Sequence, residues 1–224
     1  MSNQEIICGD LAEDGIQQGY LGDCYYISAL SAYAEHPRRM KALILTDTLN
    51  QGGVFATQMY IKGQPFNVVV DDYIPFYDGK PAFAGQGREN SIWGMMMEKS
   101  WAKVHGNYDR TDGGLEIEMF DSAGAPNIYY DFDDQSGVAR DEHKLYNVLK
   151  DAFDKDYSMA CAVLQKEGRD NKGLVDGHAY SGHVIKIVNY HGSNTCFIKV
   201  RNPHGVDSWS GAFSDIDSAM DSNL

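Results

Sequence analysis

The chain has 224 residues, enough for one large domain or two lobes sharing a cleft, and its 43% hydrophobic and 23% charged residues are ordinary for a globular protein. A net charge of −13 argues against nucleic acid as a partner, because binding phosphates needs a basic face. Cys8, Cys24, Cys161 and Cys196 form no C-x-x-C pair, so reduced thiols in a cytoplasmic protein are expected, with no secretory leader and no membrane-spanning stretch.

In chain order, "QQGYLGDCYYISAL" opens the first predicted helix. From Asp23, the expected N-cap, Ile27, Leu30, Ser31 and Ala34 follow helical spacing up to Pro37, which puts Cys24 in the first turn. "VFATQMYI" and "FNVVVDDYIPF" read as strands, with Asp71 and Asp72 ending the second at a turn. A second helix, "SIWGMMMEKSWAKV", lines up Ile92, Met95, Met96, Lys99 and Ala102 or Val104, and its methionines read as core. The Gly and Pro cluster from Ser122 to Pro126 marks a lobe boundary, giving lobes 1–123 and 124–224. Beyond it come one helix, "EHKLYNVLKDAF", and three strands, "SMACAVL", "HAYSGHVIKIVNY" and "NTCFIKVRNP". The last two form a hairpin around "NYHGSN".

The chemistry converges on Cys24. A thiol is a nucleophile only as thiolate, and the unpaired N–H groups of a helix start favour that charge. It needs a base, and among seven histidines His178 stands out, at the start of a strand after Gly177, a residue that lets a ligand backbone approach. Asn202, at the end of the following strand, falls roughly level with His178 across the hairpin and can orient its ring. Gln18, returned toward the thiol by "GYLG", can join the Cys24 N–H as an oxyanion donor.

These residues resemble the proteolytic core of calpains, the calcium-dependent cysteine proteases. The resemblance is carried in order by "QQGYLGDCYYISAL", "VVVDDYIPF", "WGMMMEKSWAKVHGNYDRTDGG", "GLVDGHAYSGHVIKIVNYHG" and "VRNPHGVDSWSGAFSD". It implies an α+β, papain-like two-lobe fold, with a helical N-terminal lobe carrying Cys24 and an antiparallel β-rich C-terminal lobe carrying His178 and Asn202. Gly177 would lie against the substrate backbone. The implied function is a calcium-regulated cysteine endopeptidase acting on intracellular proteins or peptides, as part of a larger multidomain protein.

The resemblance also implies Ca2+ in the first lobe, held by the Gly9 carbonyl, Asp14 and Asp109, with Asp10 and Glu13 as alternatives across a one-residue insertion. A complete second-lobe site is not expected. Asp215 matches one ligand, but Ser208 replaces another and the lobe reads as truncated. Tyr25 and His204 stand where the family usually has Trp, and a polar ring at 204 would shield the His178–Asn202 pair less well. Two other readings use the same residues: an inert calcium-responsive binding or regulatory module, and a thiol transferase or deubiquitinase-like hydrolase on this scaffold.

Overall fold

The computed structural model describes residues 6, 11–87, 91–131, 141–164, 168, 170–190, 192–206 and 209–214. Gly9, Asp10, Ser208 and Asp215 lie outside the described residues, as does Cys8. The elements are β1 (Ile16–Gln17), α1 (Cys24–Ala34), α2 (Pro37–Leu43), β2 (Val54–Ile61), β3 (Gln64–Asp71), β4 (Phe76–Tyr77), β5 (Lys80–Pro81), β6 (Gly85–Gln86), α3 (Trp93–His105), a 3-10 turn (Asp109–Thr111), α4 (Glu116–Ser122), α5 (Glu142–Asp154), β7 (Met159–Val163), β8 (His178–Tyr190) and β9 (Ser193–Arg201). This is an α+β, papain-like arrangement: helices α1 to α4 come first, and an antiparallel sheet ordered β7-β8-β9 follows.

Helix α1 is the centre of the molecule. Every residue from Tyr25 to Ala34 is buried, so the helix is enclosed on all sides instead of showing one apolar stripe. Tyr26 stacks on Trp101 of α3, with ring centroids 4.8 Å apart, and donates its hydroxyl to the Met97 carbonyl; Trp101 Nε1 donates to Tyr25 Oη. The methionines of α3 are core, as expected, whereas Lys99 turns outward to Asp71 at the end of β3. Helices α2 and α4 also pack on α1, and a further wall is the β-rich part, where Ser28 Oγ donates to the Ala179 carbonyl of β8 at 3.0 Å.

The predicted hairpin forms with Asn189 opposite Asn194 and Tyr190 opposite Ser193. Loop "GYLG" is held by a close backbone approach: a side chain at Gly19 would run into the Phe83 carbonyl, which explains the glycine. Arg201 reaches from the end of β9 to the Ile16 carbonyl and Ser31 Oγ, so the two parts of the chain are joined by hydrogen bonds as well as by apolar packing. The described cysteines, Cys24, Cys161 and Cys196, are free thiols. Among the described residues no helix is long and apolar enough to cross a membrane.

Candidate active site

Cys24 is the first residue of α1 and is half-buried against β8. Its thiol meets the main-chain N–H of Ala179, the residue after His178. Cys24 and Ser28 are one helical turn apart, so both contacts with Ala179 come from one face of α1. This packing brings the thiol to the backbone of the residue beside His178, although the two side chains lie 154 positions apart in "DCYY" and "GHAY".

His178 is 5% exposed, and its Nε2 lies 3.0 Å from Asn202 Oδ1. An amide oxygen only accepts, so Nε2 carries the ring hydrogen and Nδ1 is left as the basic nitrogen. Asn202 Oδ1 also accepts the His204 N–H at 3.0 Å, which fixes the amide against rotation. The His204 ring stacks nearly parallel on His178, centroids 4.9 Å apart, and so covers the pair where the family usually has an indole. Burial, and then the neighbouring His178, hold the His204 imidazole below its ordinary value, which keeps that cover neutral.

The helical part grips this loop directly. Gln18 N–H donates to the Pro203 carbonyl at 2.9 Å, and Gln17 Nε2 to the His204 carbonyl at 2.7 Å. The buried Gln18 side chain donates one N–H to Leu21 O at 2.7 Å, which orients the amide; its nitrogen carries a second hydrogen for a ligand. Gly177 has a φ of +63°, and a Cβ there would meet no atom within 4 Å. Its backbone conformation therefore calls for glycine, and the space beside it is open.

The chain matches the calpain family cysteine protease model over residues 1–221. It belongs to the calpain family of cysteine proteases. It is 31% identical to calpain-8 of Rattus norvegicus over 95% of its own length, and 32% identical to the calpain-1 catalytic subunits of Pongo abelii and Homo sapiens over 97%. The chain spans about a third of the length of these curated relatives, 31% in each case.

Within this calpain core, Asp23 departs from expectation. It occupies the N-cap position, yet its side chain makes no capping hydrogen bond. The carboxyl turns inward and is fully buried, with its own main-chain N–H and the Glu98 carboxyl as its polar neighbours. Its neighbour is the carboxyl of Glu98, buried in α3, whose two oxygens both accept the Ala84 N–H, at 2.9 and 3.0 Å. Two carboxyls this close cannot both ionise in a low dielectric. Burial pushes Asp23 up to about 7, and burial with the Asp23 charge pushes Glu98 well above its ordinary range. A shared proton satisfies the pair, and because the carboxyl does not cap the helix it leaves the Cys24 and Tyr25 N–H groups open beside the sulfur, while those of Tyr26 and Ile27 donate to the Asp23 carbonyl.

The helix start does not by itself make Cys24 a thiolate. Burial pushes the thiol above its ordinary value, and the Asp23 and Glu116 carboxyls add to this. The N–H groups of Ala179 and Tyr25 offset only part of the rise. Ionisation therefore depends on a base.

The Asp23–Glu98 pair makes a testable contribution to stability. A carboxyl whose folded-state pKa lies above the unfolded value, about 3.9, stabilises the fold fully below that value and loses this contribution as pH rises through about 7. Urea midpoints should therefore fall between pH 5 and pH 8. Glu98→Gln keeps an acceptor for Ala84 and gives Asp23 a donor, and it should flatten that slope and gain on the order of 2 kcal/mol at pH 8. A slope parallel to that of the parent chain would contradict the shared proton.

Asp14 is half-buried in the turn before β1, and Asp109 is exposed at the start of the 3-10 turn. Neither joins a close group of three acidic, His or Cys ligands among the described residues. Glu13, the alternative first-lobe ligand, faces Glu35 and His183 instead. Sequence reasoning did not find Asp23–Glu98 as a pair, although a glutamate inside "GMMMEKSW" was a visible signal: a charge in a stretch read as core needs a partner.

Proposed function

We propose that this calpain core is a cysteine endopeptidase in which Cys24 attacks the scissile carbonyl as a thiolate. His178 takes the thiol proton through Nδ1 and later returns it to the leaving amine, while Asn202 holds the productive tautomer. Gln18 and the Cys24 N–H receive the developing oxyanion. The observation that carries this reading is the 3.0 Å contact between His178 Nε2 and Asn202 Oδ1 at the point where Cys24 packs on β8. Protein or peptide substrates would lie extended past the open side of Gly177. The free thiols favour a reducing, cytoplasmic setting.

Calcium control is part of the proposal. Asp14 and Asp109, with main-chain carbonyl oxygens such as that of Gly9, would supply hard oxygen ligands of the kind Ca2+ takes. Labelling of Cys24 by a thiol-directed peptide epoxide, with and without Ca2+, tests both statements. Rapid labelling that calcium accelerates is expected. Equal rates would remove the calcium dependence, and no labelling in either condition would favour a non-catalytic module.

A further inference from the structure

Helix α1 and strand β8 run side by side from the candidate active site. From Cys24 to Glu35, the residue that caps α1, a helix advances about 16 Å at about 1.5 Å per residue. From His178 to His183 a strand covers about the same distance at about 3.3 Å per residue. The two elements touch at both ends: Cys24 and Ser28 lie on Ala179, and Glu35 lies on His183.

At that far end β8 is irregular. Gly182 pairs with Val200 and Val184 with Lys199, so His183 is the extra residue of a bulge, a device that re-aims a side chain. The His183 side chain is fully buried. Its Nδ1 lies 2.8 Å from Glu13 Oε2 and 2.6 Å from Glu35 Oε1, yet neither oxygen lies where a ring N–H would point, and Nδ1 is buried without a hydrogen bond. Nε2 is 2.7 Å from Ser181 Oγ, which can turn its own hydrogen to the Arg201 carbonyl, 3.5 Å away. In that arrangement Nε2 holds the ring hydrogen, and the Nδ1 lone pair faces two carboxylates. This is repulsive unless a proton on Nδ1 or a metal ion lies between them, and a proton on Nδ1 would point at neither oxygen.

We propose that Glu13, Glu35 and His183 bind one divalent transition-metal ion of the Zn2+ type, which fastens the helical lobe to the β-rich lobe. The three ligand atoms already lie within 4.8 Å of one another. Lys199 Nζ, 3.1 Å from Glu13 Oε1, leaves Oε2 directed inward. The Ser181 contact with Nε2 is the outer hydrogen bond that fixes the ring of a metal-binding histidine. One nitrogen and two carboxylates suit Zn2+ or Co2+ with a water as fourth ligand, whereas Ca2+ prefers six to eight oxygens. The site is therefore separate in chemistry from the calcium ligands proposed above.

The test is titration of Co2+ into the Cys24→Ser chain, which removes the active-site thiol as a competing ligand, with excess Ca2+ present. One equivalent should bind with visible d–d absorption, be displaced by Zn2+ and raise the unfolding temperature. Glu35→Ala and His183→Gln should each weaken binding by about tenfold or more. Unchanged affinity in Glu35→Ala, or no Co2+ uptake by the Cys24→Ser chain, would overturn the proposal. The Glu35 side chain is 28% exposed at a helix end, so its variant decides the matter even if His183→Gln does not fold. Peptide cleavage does not enter the readout, so failure here leaves the protease reading standing.

Discussion

Replacement of Cys24 by alanine should lower calcium-supported peptide cleavage by on the order of 10⁴-fold or more, the scale seen when a covalent nucleophile is removed. The loss should fall on kcat, with thermal unfolding little changed, because alanine suits a helix start and the deleted sulfur is only half-buried. His178→Ala should be equally damaging. Burial and two nearby carboxyls hold the thiol protonated, so without the imidazole almost no thiolate forms at neutral pH. Since the nucleophile and base act as one unit, the double variant should be scarcely worse than either single one. Additive losses would argue that the two side chains do not work together.

The second large effect is expected at Asn202. Asn202→Ala removes the acceptor that both His178 Nε2 and the His204 N–H share. The ring can then flip or change tautomer, and cleavage should fall on the order of 10²- to 10⁴-fold, mainly in kcat. Asn202→Asp keeps an acceptor and should recover part of the loss while shifting the acid limb of the pH profile, because a carboxylate raises the histidine's pKa. If both substitutions reduced cleavage only in proportion to lost folded protein, Asn202 would be a structural turn residue and no more.

Much of this was readable in the sequence because the decisive features are local. The 3.6-residue spacing after Asp23 placed Cys24 at a helix start, and the turn signal in "NYHGSN" set a hairpin that brought Asn202 within reach of His178. The exact register was not readable: the bulge at His183 shifts the pairing by one residue, and nothing in "SGHVI" announces it. Contacts between distant segments were hidden for the same reason. Asp23 looked like an N-cap because the sequence places a helix beside it, while its partner Glu98 arrives from another helix 75 positions away. The raised thiol follows from burial that only the packing of α1 on β8 creates.

The central claim is that His178 generates the Cys24 thiolate. The most direct measurement is the rate of Cys24 alkylation by iodoacetamide from pH 4 to pH 10, in the parent chain and in His178→Ala. The parent should show a reactive limb below the ordinary thiol range, from a thiolate–imidazolium pair, and His178→Ala should lose it, leaving a single rise above pH 9. Superimposable profiles would contradict the account.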